Sequence, residues 1–197
     1  MKKVKQVLFI LHSLNGSTSD SFKNGVTQTA ESLGYEVIYP DFAKRENSSF
    51  ENFDEVMSKF LIDGKINSNT IFVAHSISAN YLIKFLFKHK LTICALISVG
   101  GALILHPNEL VQGGYNLRVK NASLPNFNEN LYAKSNIQHI FYYYSDNDRH
   151  INSDIVNNFL TTFDAEPMFY SGLGHFSKTC NVTNLPDIDK ILKNLKD

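Results

Sequence analysis

The chain has two cysteines, no excess of either charge and no long hydrophobic run, and each shortage excludes a class of protein. Cys94 and Cys180 are too few for a disulfide framework, and Cys94, inside an apolar run, reads as a small core residue. Nineteen Lys and Arg against nineteen Asp and Glu leave no net field to draw in nucleic acid or anionic lipid. No stretch approaches the roughly 20 apolar residues of a membrane span. The apolar core near the amino terminus, Val7 to Leu11, falls short of the roughly 7–15 residues of a secretory signal. No Gly-X-Gly-X-X-Gly follows an apolar run, so no dinucleotide is indicated. His-X-X-X-His and clustered Cys spacings are also missing, so no metal or other cofactor is expected. No repeat or low-complexity tract interrupts the sequence. The expectation is a cytoplasmic protein that binds neither nucleic acid nor membrane; its oligomeric state is left open.

What the chain does have is 43% apolar residues, with 15 Phe and 9 Tyr, which rules out disorder. Its 197 residues suit a single domain spanning 1–197. Short apolar runs recur at Val7–Leu11, Glu36–Tyr39, Thr70–Ala74, Cys94–Val99, His139–Tyr144 and Pro167–Tyr170. They are continuous rather than alternating, as in strands covered on both faces. Helical spacing fills the intervals at Asp20–Leu33, Glu51–Ile62, Ser76–His89 and Ser153–Phe163, and again at Leu185–Leu195. This alternation predicts a doubly wound α/β fold with a mostly parallel sheet of about six strands. From Gly101 to Asn136 the rhythm breaks into a long connection with weak helical content, room for one helix.

Ligands of such sheets bind beyond the carboxyl ends of the strands, so the residues after each run carry the chemistry. After the third run comes Val73-Ala74-His75-Ser76-Ile77-Ser78. A serine between strand and helix, with small residues two before and two after, has the layout of a nucleophile elbow, where a tight turn excludes bulk. After the fifth run comes Ser145-Asp146-Asn147-Asp148, and after the sixth Ser171-Gly172-Leu173-Gly174-His175. Serine, aspartate and histidine in that chain order, each just past a strand, match an α/β-hydrolase triad of Ser76, His175 and either Asp146 or Asp148.

On these motifs, together with Leu11-His12-Ser13 and Asn15-Gly16 after the first run and Gly174-His175-Phe176 after the last, the chain resembles a family of small serine hydrolases. This is the family of retinoblastoma-binding protein nine and the YdeN-like bacterial proteins. The resemblance spans nearly the whole chain. It implies a three-layer α/β-hydrolase-like fold without a cap domain. It also implies that the acid is the aspartate placed like Asp148, three residues before the aliphatic Ile151. Three positions depart from the usual patterns: Ala74 and Ser78 flank the elbow, and Asn152 stands where a proline is usual.

The expected chemistry is cleavage of small carboxylic esters, and of amides in the wider reading, through an acyl-enzyme. The backbone N–H groups of Ile77, at a helix start, and Ser13, after the first strand, would hold the oxyanion. Leu14, Leu103 and Tyr115 are candidates to line the substrate cleft, with Leu105 and Phe127 as further apolar residues of the same connection. The competing expectation is a protein-binding module on a hydrolase scaffold, since a fold does not prove its use.

Overall fold

A computed structural model describes residues 5–13, 22–43, 47–101 and 125–196. Six strands form one sheet: β1 Val7–Leu11, β2 Glu36–Ile38, β3 Ile71–His75, β4 Ile93–Val99, β5 Ile137–Tyr144 and β6 Glu166–Phe169. Their order is β2-β1-β3-β4-β5-β6, and every pairing is parallel. Among the described residues, six helices flank the sheet: α1 Lys23–Ser32, α2 Phe50–Ile62, α3 Ile77–His89, α4 Phe127–Asn136, α5 Ser153–Phe163 and α6 Ile188–Asn194. A short 3₁₀ turn, Lys178–Cys180, follows β6.

The central strands are apolar throughout because both of their faces are covered. Every residue of β1, β3 and β4 is buried. Phe9, Phe72, Leu96 and Tyr142 point to the face packed by α2, α3, α4 and α5. Leu8, Val73, Ile97 and Tyr143 point to the opposite face, packed by α1 and α6. Alternation within a strand therefore sorts one apolar run into two cores.

The edge strands are shorter and wetter. Tyr170 N–H donates to Tyr144 O, so the even-numbered peptide groups of β6 face β5 and the odd ones face outward. Pro167 occupies an outward position and has no N–H to offer, which blunts the edge against pairing with another strand.

The elements follow the sequence pattern closely, with two differences. The last helix begins at Ile188 rather than Leu185, because Pro186 and Asp187 form a turn with Asp187 at φ +58°. The long connection ends in a well-capped helix. The Asn126 side chain accepts from Glu129 N–H while the Glu129 carboxylate accepts from Asn126 N–H, a complete capping box. Asn152, the departure from the usual proline, caps α5 by accepting from Ile155 N–H.

Phe9 is fully buried at the centre of the first core, stacked on Phe72 at 5.0 Å and edge-on to Phe60 at 5.4 Å. Phe9→Ala is expected to cost about 3–5 kcal/mol in urea unfolding. A loss under about 1 kcal/mol would mean that this core is not packed as described.

Candidate active site

Parallel strands bring their carboxyl ends to one edge of the sheet, and the register aligns them. Leu11 pairs with Ala74, His75 with Val99, Val99 with Tyr143 and Tyr144 with Phe169. The segments leaving these ends carry Ser13, Ser76, Gly100, Asp148 and His175.

Ser76 lies between β3 and α3 at φ +57° and ψ −125°, in the left-handed region that side chains avoid. Such a backbone costs on the order of 1–3 kcal/mol and persists only where its surroundings fix it. Ser76 N–H donates to Val99 O at 2.9 Å, tying the turn to β4. Ala74 and Ser78 on either side are buried. Their small side chains suit the crowding of this turn.

Ser78 also does something that a glycine there could not. Its hydroxyl donates to His12 O, fastening the end of β1 to the first turn of α3. His12 completes the tie. Its Nε2 accepts from Phe42 N–H at 3.1 Å, which leaves the proton on Nδ1 to bond Ser13 O at 2.8 Å. The Asp41 carboxylate, largely exposed, lies 3.9 Å from the same Nε2, beyond hydrogen-bond range. The His12–Ser13 peptide is thus tied to the first turn of α3. Ile77 is the first residue of that helix, so its N–H has no intrahelical acceptor.

His175 and Asp148 meet across the ends of β5 and β6. His175 Nδ1 is 2.8 Å from Asp148 Oδ2, and Asp148 Oδ1 accepts from His150 N–H at 2.8 Å. The Asp148 side chain is fully buried and the His175 side chain is 17% exposed. Asp146 lies elsewhere: its carboxylate accepts from Gly172 N–H and the Ser171 hydroxyl, in the loop that carries His175.

Gly100, at φ +54°, makes this approach possible. A Cβ there would lie 3.0 Å from both His175 Cε1 and Nδ1. Gly100 follows Val99, the acceptor of the Ser76 N–H, so the imidazole rests against backbone next to the elbow. His75, fully buried, joins the two loops directly, with Nε2 2.9 Å from His175 O and ring centroids 5.1 Å apart.

The electrostatics follow from this packing. Burial pushes the Asp148 carboxyl up, but the hydrogen bond and charge of His175, together with the His150 N–H, hold it below the usual carboxylate range. Burial pulls the His175 imidazole down. The Asp148 bond works against that, the nearby His75 and His150 rings add to it, and the net position lies below the ordinary 6.5. A neutral imidazole at neutral pH can accept a proton, and a buried carboxylate on its far nitrogen fixes which nitrogen does so.

Leu14, Leu103, Leu105 and Tyr115 lie outside the described residues. Phe127 starts α4 and is 78% exposed, so it lines no enclosed pocket. Gly100, the bonding role of the Ser78 hydroxyl and the structural part played by His75 carry no clear signal in the sequence. Glycine and serine are common turn residues, and a buried histidine beside an elbow reads simply as packing. Among the described residues, no group of three or more His, Cys, Asp or Glu side chains could hold a metal ion, and no helix is long and apolar enough to cross a membrane.

Removing the Asp148 charge removes what raises the His175 pKa and leaves burial and the neighbouring rings unopposed. In an NMR titration of the imidazole protons, His175 is expected below pH 6.5 in the native chain and lower still in Asp148→Asn. An unchanged or raised midpoint in the variant contradicts this balance.

No family model matches the sequence, and no curated protein matches it significantly. Solved structures do match it in shape. The ydeN gene product of B. subtilis superposes with a TM-score of 0.76 at 18% identity, covering 97% of this chain and 98% of that one. Est1E from Butyrivibrio proteoclasticus, with ferulic acid bound, gives 0.69 at 12% identity over 99% of this chain and 88% of that one. A carboxylesterase structure from the ammonia-oxidizing thaumarchaeon Nitrososphaera gargenis gives 0.68 at 11% identity, covering 98% and 87%. The chain has the α/β-hydrolase fold, in the short form that YdeN has.

Proposed function

We propose that the protein is a serine hydrolase that cleaves small carboxylic esters through Ser76, His175 and Asp148. The observation that carries this reading is the placement of a strained serine turn and a buried His–Asp pair at the same edge of the sheet, with the end of β4 between them, linked by Gly100 and by the bond from His75 to His175 O. The esterases among the similar structures lean the same way.

A serine hydroxyl is a weak nucleophile until a base takes its proton. His175 Nε2 accepts that proton as Ser76 Oγ attacks the ester carbonyl. Asp148 steadies the imidazolium and keeps Nδ1 as the donor on its own side. The tetrahedral oxyanion is met by Ile77 N–H, at the positive end of α3, and by Ser13 N–H, whose peptide the Ser78–His12 bond ties to the first turn of that helix. Collapse returns the proton from His175 to the leaving alcohol. Water then attacks the acyl-enzyme by the same relay and releases the acid.

The substrate proposed is a short acyl ester. With no cap domain expected in a chain of this length, the cleft should be open and gain little from a long acyl chain. Short acyl p-nitrophenyl esters should be turned over. Ser76→Ala should lower kcat by roughly 10⁴-fold or more with the fold retained, by the scale of known triads. Faster turnover of long than of short acyl esters would overturn the open-cleft part of the proposal.

The pH dependence has a fixed sign. Only the neutral imidazole accepts a proton, and burial places its pKa below 6.5. The acid limb of kcat/KM should therefore fall below pH 6.5. A limb centred above pH 7 contradicts His175 as the base.

A further inference from the structure

His175 sits in a loop that carries its own strain. Gly174 lies at φ +52° and Phe176, a fully buried aromatic residue, at φ +51°. A bulky side chain in that region is a genuine outlier, so something outside the loop must hold it. Three consecutive side chains after β5 do so. Asp146 accepts from Gly172 N–H at 2.9 Å and from the Ser171 hydroxyl at 2.7 Å. Ser145 Oγ accepts from Leu173 N–H at 3.0 Å, and Asn147 Oδ1 from Gly174 N–H at 2.6 Å. The single Ser145 proton goes to Asn147 Oδ1 at 2.9 Å rather than to Asp146 at 3.4 Å. Asn147 Oδ1 therefore collects both the loop bond nearest His175 and the bond that aims Ser145.

We propose that Asn147 is a positioning residue for the base: its side-chain carbonyl, with Ser145 and Asp146, holds the peptide before His175 so that the imidazole reaches Asp148 and Ser76 together. This rests on the hydrolase reading of Ser76 and His175. An amide suits the position better than a carboxylate. Asp146 and Asp148 flank it, and a third negative charge there would raise the pKa of the base. The three residues before the hydroxyl-activating acid thus form a template for the histidine loop.

The test compares Asn147→Ala with Asn147→Asp in the full-length protein. Asn147→Ala is expected to lower kcat about 10–100-fold, the scale of a displacement near 1 Å, with KM and Tm nearly unchanged. Asn147→Asp keeps the acceptor oxygen, so kcat should return to within about threefold of the native value while the acid limb moves to higher pH, since the added charge favours the imidazolium. The downfield proton resonance of His175 Nδ1–H provides a readout independent of turnover. It should broaden or vanish in Asn147→Ala and persist in Asn147→Asp. An unchanged kcat and resonance in Asn147→Ala overturn the proposal, as does an Asn147→Asp variant no better than Asn147→Ala. If the native chain hydrolyses no ester yet the resonance responds as expected, the positioning role stands and the hydrolase reading falls.

Discussion

A non-glycine residue in the left-handed region costs on the order of 1–3 kcal/mol, and the chain holds Ser76 there at the junction of β3 and α3. Much of the surrounding structure follows from keeping it in place. The turn leaves β3 in the middle of a parallel sheet, where Val99 O on the next strand accepts the Ser76 N–H. The helix that follows leaves the Ile77 N–H without an intrahelical acceptor. Ser78, two residues after Ser76, reaches across to His12 O and draws the end of β1 alongside. A strained turn, a helix start and a neighbouring strand end are thereby held as one unit.

The histidine side adds a buried charge to a loop that is itself strained at Phe176. A fully buried Asp148 side chain is tolerated because His175 Nδ1 and His150 N–H satisfy both of its oxygens. His175 is itself pulled away from its charged form by burial, so at neutral pH the pair is a carboxylate beside a neutral ring. Gly100 is where the two halves meet. It lacks a side chain just where a Cβ would press on the His175 ring, and it follows the residue that accepts the Ser76 N–H.

The sequence made the layers and the strand ends readable because those signals are local. Short, nearly continuous apolar runs such as Val7–Leu11 and Cys94–Val99 read as buried strands, and a serine or histidine just beyond such a run is a visible event. The choice between Asp146 and Asp148 is different. Both follow β5 and both are flanked by turn residues, so the local pattern leaves them open; the family resemblance points to Asp148, and the approach of the 171–175 loop brings Asp148 to the imidazole and sets Asp146 to hold the loop. Gly100 and Asn147 are silent in the sequence, since each is an ordinary turn residue until a distant partner gives it work, and Ser78 is visible only as a small residue, not as a hydroxyl that bonds His12 O. The helix α4 was half-hidden: Asn126 and Glu129 spell a capping box, but the polar stretch around them weakened the apolar period that usually announces a helix.

The account stands on Ser76 being the activated nucleophile of a relay through His175. Intact-protein and peptide mass spectrometry after reaction with a fluorophosphonate probe tests it most directly. The native chain should gain a single adduct on the peptide containing Ser76, and His175→Ala should lose it while remaining folded. No adduct on the native chain, or an adduct on a different serine, contradicts the assignment.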